Sequence, residues 1–126
     1  MALRMAALST FFVVPQMKHE WIQGTTVYPH IHVETQTANT NSVVWRISYS
    51  VADIDGTFPA DTVVTNTMSI PAGAQWKHLV YNLPTNGIAM STNGPSSNIR
   101  LKYSVISQTE NLDIVNFDVH YLYQTQ

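Results

Sequence analysis

Five apolar side chains in strict alternation, Val43, Trp45, Ile47, Tyr49 and Val51, separated by Val44, Arg46, Ser48 and Ser50, constrain this chain more than any other feature in it. Successive side chains of an extended segment point to opposite faces, so residues 43–51 form a strand with one face buried and the other wet. The C-terminal stretch repeats the pattern, with Val115, Phe117, Val119, Tyr121 and Tyr123 inward and Asn116, Asp118 and His120 outward. Ile99, Leu101, Tyr103 and Val105 alternate with Arg100, Lys102 and Ser104, and residues 62–70 mix Val and Thr, both strong strand formers. Residues 76–83 and 28–37 complete the predicted set, and residues 11–17 add a strand whose Pro15 marks it as an edge.

Turn-forming residues separate these segments, at 39–42, at 53–59 with an Asp-Gly pair, at 71–73, and at 84–97 with Asn-Gly twice. No helical stripe longer than the first ten residues occurs, so the crossover helices of a parallel sheet are excluded. The pattern predicts an all-β fold, an antiparallel β-sandwich of jelly-roll type with about seven or eight strands. Residues 11–126 are expected to form this single domain. Residues 1–10 stand apart as an N-terminal arm, either a frayed end or a segment that docks on a neighbour, with Met1, Leu3, Met5 and Leu8 apolar around Arg4.

Composition narrows the function. Of 126 residues only 14 are charged, 44% are apolar and 13 are aromatic, which suits one small domain with a real core and not a disordered chain. The net charge of -2 and the lack of any Lys/Arg run argue against nucleic acid and anionic membranes as partners. Arg4 interrupts the apolar residues of the first 14, so no stretch there suits a membrane span. There is no cysteine, hence no disulfide framework, thiol nucleophile or thiolate metal site.

The chemistry that can be sought lies in GTTVYPHIHVE, residues 24–34, where His30, His32 and Glu34 emerge on one side of a strand. Imidazoles at this spacing can chelate a transition metal, and His120, with Asp118 on the same face, can join His30 and His32 if the last strand pairs with theirs. The same pattern also describes exposed or hydrogen-bonded histidines. The Gly24, His30, His32 arrangement resembles the start of the first cupin motif, and IPAGAQWKH, residues 70–78, resembles the second. Both matches break, because Glu34 follows His32 too closely and His78 lies too far from Gly73.

No nucleophile elbow, HExxH, Walker loop or GxGxxG is present, and Asp53 and Asp55 beside Gly56 read as turn chemistry, so no catalytic residue and no cofactor are expected. Trp45 belongs to the core. Trp21 and Trp76 are rim-packing residues or, alternatively, stacking surfaces for a sugar. The irregular stretch 84–98 is either a plain surface loop or a contact loop.

Three segments carry a wider resemblance: QMKHEWIQGTTVYPHIHVET at 16–35, VVWRISYS at 43–50 and VNFDVHYLYQ at 115–124. In this order they resemble a family of small structural proteins encoded by tailed bacteriophages. Trp21, Gly24, Tyr28, Pro29, His30, Ile31 and His32 match its central motif, and Phe117, Asp118, His120 and Tyr121 its terminal one. The chain departs in a shorter leading segment and in Val33, where an aromatic often stands. The resemblance implies a virion component. Its first reading is a head decoration (cement) protein on the outer capsid surface, which partners the major capsid protein and itself as a homotrimer at three-fold sites. A neck or tail component, such as a fibre-anchoring adaptor or receptor-binding module, is the second reading, and a cupin-like metal-binding protein is the third. Contact residues are expected in the arm, at Met1, Leu3, Met5 and Leu8, and in the long loop, at Asn86, Met90, Asn93 and Pro95.

Overall fold

The computed structural model describes residues 3–5, 10–18, 21–35, 42–90, 93–94, 96–107 and 112–122. Among them are eight strands: β1 (Leu3–Met5), β2 (Thr10–Val13), β3 (Tyr28–Thr35), β4 (Ser42–Ala52), β5 (Thr62–Ser69), β6 (Leu79–Asn82), β7 (Asn98–Ser107) and β8 (Leu112–His120). They form two four-stranded antiparallel sheets, ordered β1-β8-β3-β6 and β2-β7-β4-β5. The pairings nest. β4 meets β5, β3 meets β6, β2 meets β7 and β1 meets β8, as if one long hairpin had been rolled up. Added pairing of β3 with β8 and of β4 with β7 closes each sheet in the order of a jelly roll.

The alternation read from the sequence places the core. Val43, Trp45 and Ile47 of β4, Ile31 and Val33 of β3, and Ile99, Leu101, Tyr103 and Val105 of β7 are all buried. Each such side chain contributes about 1.5–3 kcal/mol of burial free energy. At the centre Phe11 stacks on Tyr103 at 5.0 Å, and Trp45 meets both rings edge-on at 6.2 Å. Phe117 reaches Tyr103 from the opposite sheet, also at 6.2 Å. The Tyr103 hydroxyl donates to the Leu83 carbonyl at 2.6 Å, and its burial pushes its pKa up. Towards the end of β4 both faces are covered: Tyr49 and Val51 remain packed on the core although only half-buried, and Ser50 and Ala52 on the other face are buried as well. Ser50 is accommodated by donating to the Pro59 carbonyl at 2.7 Å.

A bulge corrects the expected face of β8. His32 pairs with Asn116 but Val33 with Ile114, so Val115 is an extra residue. Before it Leu112 and Ile114 are buried; after it Phe117, Val119 and Tyr121 pack on the core. Val115, expected inward, is 40% exposed because a bulge shifts a period-two pattern by one. Tyr123 lies outside the described residues. The predicted strand at 76–83 shortens to β6, preceded by Trp76 at φ 63°. The one at 11–17 becomes β2 plus an isolated bridge from Gln16 to Asn98, and β2 is an edge strand, as Pro15 requires. Of the strand predicted at 28–37, residues 36 and 37 lie outside the described residues.

Two of the regions expected to make contacts are also tied into the chain's own fold. Within residues 1–10, set apart as an arm, Leu3–Met5 pair with the chain's own β8 and Thr10 opens β2, so this segment supplies backbone to both sheets. The stretch 84–97 is tied down along its described length. Val27 and Ile88 exchange backbone hydrogen bonds at 3.0 and 2.8 Å, and Asp53 accepts from Gly94 N at 3.0 Å and Ser97 Oγ at 2.7 Å. Gly87 has φ +72° and lies so close to the Val27 carbonyl that a Cβ would stand 2.7 Å from it. Met90 is fully buried in the core, which removes it as a contact residue: its thioether fills space under the loop. Asn86 is exposed and Asn93 half-buried, while Met1, Leu8 and Pro95 lie outside the described residues.

Candidate metal centre

Period two decides which side chains β3 presents outward. Pro29, Ile31, Val33 and Thr35 are buried, so His30, His32 and Glu34 stand on the outer face of the sheet. On one side β8 sets Asp118 opposite His30 and His120 opposite Tyr28. On the other, β6 sets Val80 opposite His32, and His78 lies just before that strand. The pairing that the sequence left open is therefore made, and three histidines gather round one carboxylate with His78 behind one of them.

Asp118 is the hub. Its Oδ1 lies 3.2 Å from His32 Nε2 and 3.6 Å from His30 Nδ1, and its Oδ2 lies 3.8 Å from His120 Nε2. Behind His32, its Nδ1 meets His78 Nε2 at 2.6 Å. An ionised carboxylate only accepts, so the hydrogen-bond network assigns the proton of neutral His32 to Nε2. His32 Nδ1 then accepts from His78 Nε2–H, and the two imidazoles form a relay ending on Asp118.

His30 is placed differently. Its ring packs against that of His120 with centroids 3.6 Å apart and planes tilted by 43°. Its Nδ1 is buried and has no hydrogen-bond partner among the described residues. Burial lowers its pKa, helped by His120, opposed by Asp118 and helped less by His32, so the ring is neutral at neutral pH. His120, by contrast, has a side chain 63% exposed. Beside it lies an apolar groove of about 310 Å³, lined by Thr26, Tyr28, His120, Tyr121 and Leu122.

One donor atom from each of His30, Asp118 and His120 lies within 4.8 Å of the other two, a spacing a metal ion can bridge. Of the three histidines singled out by sequence, His30 and His120 belong to this set, and His32 supports it through Asp118. Glu34 shares the face but pairs with Asp113 further along β3. His78 was missed as a participant. Its only sequence signal was a motif whose spacing failed, and the register that delivers it belongs to the fold. The tryptophans divide: Trp21 is buried with Nε1 donating to Thr25 Oγ1 at 3.0 Å, Trp45 is core, and Trp76 is 60% exposed. Asp53 and Asp55 do lie in a turn, closed by Gly56 N donating to the Asp53 carbonyl at 2.9 Å with Asp55 at φ 64°, but the Asp53 carboxylate reaches out of it to accept from Asn93, Gly94 and Ser97. No protein family, curated protein or solved structure matches the chain, so what it does must be read from its own residues.

Proposed function

We propose that the chain is a structural component of a tailed-bacteriophage virion, a capsid decoration protein that binds the major capsid protein at the outer surface of the shell and self-associates as a homotrimer. The observation that carries this reading is that its two motif segments, far apart in sequence, pair as the adjacent strands β3 and β8, with Tyr28 opposite His120, Pro29 opposite Val119 and Ile31 opposite Phe117. The residues of the resemblance thus form one built unit. Ile31 and Phe117 help secure its core side, and His30, His32, Asp118 and His120 occupy its outer side.

The edges support an interaction role. Phe12 and Val14 at β2, Val63 on β5 and Val80 on β6 are large apolar side chains left exposed on or beside edge strands. Edge strands offer unpaired backbone groups to a neighbour, and apolar surface with few charges can be buried without stranding unpaired ions. The mechanism in this reading is mechanical: contact area clamps adjacent capsid subunits.

Quantitative mass spectrometry and electron cryomicroscopy of intact particles test it. Copies commensurate with the major capsid protein, seen on the outer shell, are expected. A single ring at the neck or tail would replace decoration with an adaptor or receptor-binding role, and absence from the particle would overturn the virion reading altogether.

A further inference from the structure

The outer face of β3 and β8 has a second property, which does not rest on the virion reading. Around a tetrahedral zinc ion, imidazole nitrogens and carboxylate oxygens at about 2.1 Å lie about 3.4 Å from one another. Asp118 already holds one oxygen 3.6 Å from His30 Nδ1 and the other 3.8 Å from His120 Nε2. Contraction by a few tenths of an ångström brings either pair to that spacing, and since Asp118 need supply only one oxygen, the three donor atoms, all within 4.8 Å of one another, can close on one ion by small side-chain rotations.

The telling atom is His30 Nδ1. It is buried, has no hydrogen-bond partner among the described residues, and faces a carboxylate oxygen too distant for a hydrogen bond. If this nitrogen carries its lone pair, two acceptors face one another. A cation between them satisfies both. The relay from His78 through His32 fixes the carboxylate from behind, the kind of outer support that orients metal ligands. Two imidazoles with one carboxylate suit a first-row transition ion and not calcium or magnesium, which prefer oxygen. The exposure of His120 leaves an approach from solvent and room for water to complete the sphere.

We infer that His30, Asp118 and His120 form a binding site for a divalent transition cation with zinc's coordination preference, with His32 and His78 as positioning residues. The test is calorimetric titration of zinc sulfate into the metal-free full chain. One zinc per chain is expected. His120→Ala, at an exposed position, and Asp118→Asn, which keeps the side-chain shape, should each weaken binding by at least roughly ten-fold. Cobalt(II) should give the intense visible absorption of a four-coordinate ion, absent in His120→Ala and shifted in His78→Ala. The melting temperature of the parent should rise with zinc while that of His120→Ala stays put.

No zinc uptake by the parent, or equal affinity in the parent, His120→Ala and Asp118→Asn, would overturn the inference. So would loss of binding in His78→Ala alone, which assigns the ion to the His32–His78 pair. All readouts use the isolated protein, so they are separate from the copy number and location that decide the virion reading.

Discussion

Asp53 and Asp118 are the same side chain put to opposite uses. Asp118 stands among imidazoles on a sheet face, whereas Asp53 sits in a turn and collects donors from residues 93–97. The hydroxyl of Ser97, then the Gly94 N–H, hold the Asp53 carboxyl below its ordinary pKa, with Asn93 adding to them and desolvation opposing. A carboxyl whose folded pKa lies below its unfolded one stabilises the fold above the unfolded value. That contribution disappears as the pH falls through the folded value. Asp53→Asn should therefore lower the melting temperature at neutral pH, and the gap from the parent should close in acid. Melting curves of both proteins across the acid range check this, and a gap that persists at the lowest pH would show that the charge is not what anchors the loop.

At the scale of elements, the bulge in β8 does more than add a residue. It lets Leu112 and Ile114 bury on one side of Val115 while Phe117, Val119 and Tyr121 bury on the other. Deleting Val115 would join Ile114 to Asn116 and give simple alternation, with Leu112, Ile114, Phe117, Val119 and Tyr121 all still inward. Val115→Thr should change stability by no more than about 0.5 kcal/mol, as for an ordinary surface substitution. The deletion should keep cooperative unfolding in urea, because only the extra residue is lost; a deletion variant that no longer unfolds cooperatively would sink the argument.

The same strand marks where sequence reading stops. β3, the first half of β4, and β7 were legible because uninterrupted alternation maps directly onto burial. The parity of β8 was not, since a bulge leaves no mark in a row of Val, Asn and Phe. Nor was Met90 legible: a polar, Gly-rich neighbourhood reads as loop, while the bridge from Val27 to Ile88 and the Asp53 anchor draw that stretch onto the core. At the candidate site, His30, His32 and Asp118 could be assigned to outward faces from their spacing. Their convergence could not be read, because it depends on which strands become neighbours.

Across the whole molecule, the nested pairing imposes an order in time. Tyr49 and Thr62 need close only a short loop to meet, whereas Leu3 and Ile114 must bring nearly the whole chain together. Each doubling of a loop adds about 0.6 kcal/mol of closure entropy, and the outer pairings recover it only after the inner ones have shortened the effective distance. In pulse-labelling hydrogen exchange during refolding, amides of the β4–β5 hairpin should gain protection before those joining β1 to β8. Simultaneous protection, or the reverse order, would contradict this. By the same logic the rolled-up chain closes from its middle outward and opens from its ends inward. The three-residue β1 is then the first part to let go, leaving the edge of β8 briefly bare.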